Sequence, residues 1–219
     1  GQAYSDLKAF FRSKTIDTKR LVNVPDFEGV EDIVIIGGST RNCFGTFVRY
    51  YAREKSLWNV PQEEDIREAR VAGIDPYFRE ESLLAAKLCD KYHVPYVTID
   101  CREDLEIHRL SSVNVVSSEF LRSEYPGADY EELLTRFAAA SEGLTIFTFG
   151  AREILFARKG GEIRRMKPFS VRVESTLGAG DCFKAGAVYA LSRGMKDEDL
   201  VRFAAATSGA AISRSASPD

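Results

Sequence analysis

Histidine is nearly missing from this 219-residue chain and cysteine is sparse, at two and four residues. Cys43, Cys89, Cys101 and Cys182 show no paired spacing, and His93 and His108 stand far from any metal-ligand pattern. These absences exclude a Cys/His metal centre and a disulfide scaffold, and they read as reduced thiols in a cytoplasmic protein. There is no secretory signal and no apolar run long enough to span a bilayer, so no membrane role is expected. An excess of basic charge is absent too: the net charge is −3. Lysines and arginines are scattered among acidic and apolar neighbours, so no stripe follows a phosphate backbone and no nucleic-acid partner is implied. No internal repeat or low-complexity linker interrupts the chain. What remains is 44% apolar composition, enough to bury a large core.

Taken in order, the apolar pattern alternates between helical and strand periods. Residues 6–14 read as a short helix, with Leu7, Phe10 and Phe11 on one side. Runs 21–24, 32–36 and 42–51 read as strands, and Gly37-Gly38 between the second and third reads as a hairpin turn. Helices are expected at 63–70, at 80–92 with Leu84, Ala85, Leu88 and Tyr92 on one stripe, and at 129–141 with Leu133, Leu134 and Phe137 inward. Strands are expected at 71–74, 94–99, 113–116 and 145–149, then a hairpin from 154–158 and 162–166, and a further strand at 169–173. Such alternation predicts an α/β fold: a doubly wound, mostly parallel sheet covered on both faces by helices from right-handed crossovers. Ligands in such sheets gather at the carboxyl ends of the strands. Asp100, Ser117, Glu119, Thr148 and Gly150 all fall there.

The chemistry is concentrated in Glu174-Ser175-Thr176-Leu177-Gly178-Ala179-Gly180-Asp181-Cys182-Phe183, which opens an apolar helical run at 183–191. Two glycines at a helix mouth permit a sharp turn and expose N–H groups that have no partner in the helix. The helix dipole adds partial positive charge, so a phosphate group suits Gly178, Ala179 and Gly180. Asp181 stands beside them as a cap or as a base. A second small-residue helix is expected at 200–212.

Thr-Leu-Gly-Ala-Gly-Asp-Cys-Phe followed by a Gly/Ala-rich helix resembles the signature of the ribokinase-like (pfkB-type) carbohydrate kinases, whose usual form is Asp-Thr-x-Gly-Ala-Gly-Asp-x-Phe. The resemblance implies Asp181 as the base that takes a proton from the acceptor hydroxyl, and the amides of Gly178, Ala179 and Gly180 as an anion hole. It also implies nucleotide contacts at Thr148, Gly150, Thr176 and Ser117, an indirect magnesium role for Glu119, and sugar contacts at Arg41 and Asn42. The cofactors it implies are ATP and magnesium, together with a monovalent cation whose site is weakened by Ser175 in place of Asp. Asp100-Cys101-Arg102 is similar to a shortened Asp-x-Asn-x-Arg element, with Arg102 facing a phosphate.

Set against the family pattern, Val116 stands where an Asn is usual and Glu153 where a Gly is usual, and the family's N-terminal part is missing. The expected division is therefore 1–62, a remnant of that part with lid strands, and 63–219, the nucleotide-binding and catalytic core. The function expected from the resemblance is transfer of the γ-phosphoryl of ATP to a sugar or sugar-like alcohol, with two chains pairing through their lids as a homodimer. The alternative is a catalytically degenerate nucleotide- or sugar-binding protein of the same fold.

Overall fold

The chain divides into two units, Gly1–Val60 and Pro61–Asp219, and the computed structural model describes residues 2–23, 32–37, 40–45 and 60–213. In the first unit, α1 (Gln2–Ser13) is followed by coil, with the Tyr4 hydroxyl donating to the Leu21 carbonyl at 3.4 Å. Strands β1 (Asp32–Gly37) and β2 (Thr40–Gly45) pair antiparallel, with Gly37 opposite Thr40, as a hairpin requires. The strand expected at 21–24 is not formed: residues 21–23 are coil with Val22 exposed, and Val24 lies outside the described residues. Of the run 42–51, the part to Gly45 is strand and the rest lies outside the described residues.

The second unit runs α2 (Glu63–Glu68), β3 (Ala72–Ile74), a 3-10 turn (Pro76–Phe78), α3 (Glu80–Lys91), β4 (Tyr96–Ile99), α4 (Glu106–Leu110) and β5 (Val113–Ser117). It continues with α5 (Ser118–Glu124), α6 (Tyr130–Ala139), β6 (Leu144–Thr148), β7 (Ile154–Ala157), β8 (Arg164–Met166), α7 (Ala179–Ser192) and α8 (Asp197–Ile212). Six strands form one sheet in the order β3-β4-β5-β6-β7-β8, the first four parallel and the last two antiparallel.

Because the sheet order follows the chain order, right-handed crossovers that always step the same way deliver their helices to a single face. On that face Tyr96 packs with Ala86 and Cys89 of α3 and Ile107 of α4, while Val116 and Phe147 pack with Leu121, Leu134 and Phe137 of α5 and α6. The opposite face, Val97, Ile99, Val113, Val115, Leu144 and Ile146, is covered by α7 and α8. Both faces are covered, as expected, but the crossovers supply only one cover. Each fully buried Leu, Ile or Phe in these layers contributes about 1.5–3 kcal/mol.

Two expectations from periodicity are corrected. The inward stripe of α3 is Ser82, Ala85, Ala86 and Cys89, with Leu84 exposed, because the helix turns its small residues toward the sheet. Residues 169–173 form no strand. The apolar run has no ladder to join beyond the three-residue β8, so Phe169 and Val173 stay half exposed, and the backbone instead meets α8, where the Glu174 N–H donates to the Ile212 carbonyl at 2.8 Å.

Across the crossover face, Thr98, Asn114 and Thr145 are register partners and all buried. Asn114 Nδ2 donates to the Cys101 carbonyl at 2.8 Å and to His108 Nδ1 at 2.9 Å. His108 must then carry its proton on Nε2, which donates to the Phe137 carbonyl at 2.9 Å. Burial lowers the His108 pKa below its ordinary value. Cys89, Cys101 and Cys182 are free thiols, and burial pushes the first two up to about 11 and about 12.

Candidate functional site

The site is built where α7 begins. Gly178 caps that helix with φ 75° and ψ 5°, a left-handed conformation that an L side chain adopts only at a cost. Ala179 N–H donates to the Thr176 carbonyl at 3.2 Å, and the helical ladder starts with Cys182 N–H to the Gly178 carbonyl at 2.9 Å. The first-turn N–H groups of Gly180 and Asp181 have no acceptor within the helix and lie at its positive end.

Neighbouring elements hold this mouth in place. A Cβ on Gly180 would stand 3.6 Å from Ile99 Cδ1, so the turn rests on the end of β4. The Ser208 hydroxyl on α8 donates to the Ala179 carbonyl at 2.9 Å. At Gly186 a Cβ would come within 2.8 Å of the Ala204 Cα, so α7 and α8 touch backbone to backbone.

Around the mouth lies the rim of strand ends. Asp100 follows β4 with φ 46°, unusual for a residue with a Cβ. That twist turns its carboxylate to Ser117, which donates its N–H to Oδ1 at 2.7 Å and its hydroxyl to Oδ2 at 3.1 Å. Burial raises the Asp100 pKa, the two Ser117 bonds oppose the rise, and the charges of Glu119 and Asp181 add to it. Those last two effects place Asp100 within the electrostatic reach of both carboxylates. Asp181 and Glu119 are exposed, each in the first turn of its helix.

The other expected residues are distributed as follows. Thr148 ends β6 directly beside Ser117 and leans its hydroxyl toward the Val116 carbonyl at 3.5 Å. Gly150 follows with φ 62°, in a turn closed by Phe149 N–H to the Glu153 carbonyl at 3.0 Å. Glu153 pairs with Arg165 at 3.1 Å. Thr176 is exposed at the mouth and supplies the carbonyl that Ala179 uses. The Ser117 hydroxyl also accepts from the Phe120 N–H at 3.1 Å, capping α5, so it is engaged on both sides within the protein. Arg102 faces Asp104 at 3.1 Å and Glu124 at 3.4 Å. Arg41 and Asn42 belong to the first unit, in β2 opposite Ile36 and Ile35.

Sequence reasoning missed the pair Lys184 and Asp75, joined at 2.5 Å where β3 ends. The signal was a single charge inside the otherwise small and apolar run Cys-Phe-Lys-Ala-Gly-Ala of α7.

This arrangement can seat an anion on backbone amides beside a carboxylate. Comparison with known proteins matches the chain, not this arrangement by itself, to a family. The family model of the pfkB family carbohydrate kinases matches residues 5–218. The chain belongs to that family. Among solved structures, a probable sugar kinase from Rhizobium etli is similar at 21% identity and TM-score 0.62, covering 70% of this chain and 52% of that one. An adenosine kinase from Schistosoma mansoni in complex with 2-fluoroadenosine is similar at 17% identity and TM-score 0.77, covering 96% and 70%. A ribokinase from Thermotoga maritima follows at 19% identity and TM-score 0.73, covering 96% and 71%. The pfkB chain described here thus spans about half the length of the first and about seven-tenths of the other two. At these identities the likeness shows a shared fold. No curated protein matches the chain.

Kinases of this family use ATP, generally with magnesium. The described residues suit both. The left-handed Gly178 opens a helix of 14 residues, long enough for its dipole to favour a phosphoryl group. Asp100, Glu119 and Asp181 bring acidic oxygens to one rim, yet no group of three metal-binding side chains forms among the described residues. Acidic oxygens at a strand-end rim suit a magnesium ion that keeps waters and phosphate oxygens among its ligands.

Proposed function

We propose that this pfkB chain carries the catalytic core of an ATP-dependent small-molecule kinase, with a hydroxyl of a sugar or sugar-like alcohol as acceptor. The observation that carries the reading is Asp181 in the first turn of α7, next to the left-handed Gly178 mouth, at the rim of the parallel strands. Asp181 takes the proton of the acceptor hydroxyl as its oxygen attacks the γ-phosphorus. The amides of Gly178 and Gly180, with that of Ala179 once it turns from the Thr176 carbonyl, hold the charge that develops on the phosphoryl oxygens. Magnesium, when bound, would neutralise the β- and γ-phosphates, and Glu119 would hold it through water. Thr148, Gly150 and Thr176 flank the nucleotide.

The deciding experiment measures ADP release from Mg-ATP over a panel of pentoses, hexoses, sugar acids and nucleosides, with Asp181→Asn beside the wild type. Turnover with one acceptor, lost by several powers of ten in the variant, is the expected result and names the acceptor. Equal, negligible rates for both proteins would reject the kinase reading. They would support the second one, a nucleotide- or sugar-binding relative without turnover. That reading draws on Ser117, Arg102 and Glu153, whose polar groups are each engaged with protein partners.

A further inference from the structure

We propose that Lys184 and Asp75 form a positioning pair that sets the height and rotation of α7, and with it the place of Asp181 over the rim. Helix α7 buries Phe183, Ala187 and Ala190 against the sheet, and beside that face a stripe spaced four residues apart meets the sheet toward β3 and β4. At one end Gly180 rests on Ile99, and at the other Val188 Cγ2 lies 3.7 Å from where a Cβ on Gly73 would be. Between them Lys184 reaches Asp75 Oδ1, just past the carboxyl end of β3. Its side chain is 16% exposed, against 35% for Asp75, which makes it the most enclosed cation among the described ion pairs.

Such a pair is a weak source of stability, since desolvation offsets most of the attraction. What it supplies is direction. The buried apolar face of Phe183, Ala187 and Ala190 and the close approach of Gly186 to α8 set the depth of the helix, whereas a hydrogen-bonded ion pair at its margin has one good geometry and fixes its direction. Asp75 is anchored in turn, because its carbonyl accepts the Ser82 hydroxyl from α3. The tether therefore runs from the catalytic helix to a helix on the other face of the sheet. Asp181 lies three residues before Lys184 and so shares its side of α7. A roll that frees Lys184 carries Asp181 and the mouth amides with it, and a misplacement of about 1 Å at reacting groups can lower a rate about a hundredfold.

The test joins a measurement that needs no turnover to a kinetic one that rests on the kinase reading. In Lys184→Met and Asp75→Asn, amide exchange in residues 182–186, the first hydrogen-bonded stretch of α7, is expected to speed up about tenfold while β5 keeps its rate. Unchanged exchange there, or an equal rise in β5, overturns the proposal. With an acceptor that the wild type phosphorylates, kcat falls about tenfold or more while KM for ATP stays within about twofold. Lys184→Arg recovers most of the loss, and the double variant is no worse than either single one. An unchanged kcat in the single variants also overturns the proposal. A wild type that turns over no acceptor defeats the kinase reading alone, and the exchange rates still decide the pair.

Discussion

Gly178 and Asp100 show how single residues with positive φ shape the site. Gly178→Ala puts a Cβ on a left-handed residue in open space, so the penalty is conformational, about 1 kcal/mol. Activity is expected to fall far more than the urea midpoint does, because the strain is relieved by moving the amides proposed to hold the phosphoryl group. Asp100 yields a prediction in pH. Its folded pKa is raised while its unfolded value is ordinary, so its contribution to stability is present below the ordinary Asp value and lost as pH rises through the folded one. Urea midpoints measured across that window are expected to decline with pH in the wild type and to be flatter in Asp100→Asn. The sequence made part of this legible. The Gly-Ala-Gly-Asp signature pointed to the mouth, and the strand-end rule pointed to Asp100. It did not show that Ser117 turns its hydroxyl to Asp100 and to its own helix, because hydrogen-bond partners depend on which strands become neighbours.

Among the elements, α7 and α8 depend on each other most. Gly186 permits their contact: in Gly186→Ala the new Cβ would meet the Ala204 Cα at 2.8 Å and Thr207 Oγ1 at 2.9 Å. Overpacking of this kind costs about 1–3 kcal/mol. A lowered melting temperature is expected, together with weaker nucleotide binding, since α8 also holds the mouth through Ser208 and the Ile212 carbonyl. Element types for long periodic segments were readable from sequence: α6 appears with Leu133, Leu134 and Phe137 buried as the spacing requires. The segment 169–173 was not, because strand-like composition describes a residue's taste for a pleated surface, and the edge strand just before it, β8, is only three residues long. The stripe of α3 shifted by a residue for a related reason: small side chains won the sheet-facing positions that size alone would give to Leu84.

At the scale of the whole molecule, the second unit contains its own three apolar clusters. Residues 61–219 expressed alone are therefore expected to unfold cooperatively, and a non-cooperative melt would contradict this. His108 sets an acid limit on that unit. Its folded pKa lies below the ordinary value, so the stability of the neutral, Asn114-bonded ring is present above about pH 6.5 and lost as pH falls through the folded value. A urea midpoint that drops between pH 7 and pH 5, with a smaller drop in His108→Gln, checks this.

Sheet order that follows chain order has a further consequence during synthesis. Strands β3 to β8 leave the ribosome next to the partner they join, and the crossover helices cover one face as they appear. The other face, from Val97 to Ile146, waits for α7 and α8, the last elements described. At about 5–20 residues per second that wait lasts several seconds, during which a continuous apolar floor is open to the cell. A nascent chain stalled after β8 is thus a ready client for chaperones and a seed for aggregation, and the helix that brings Asp181, the proposed base, is also one of the two that end this exposure.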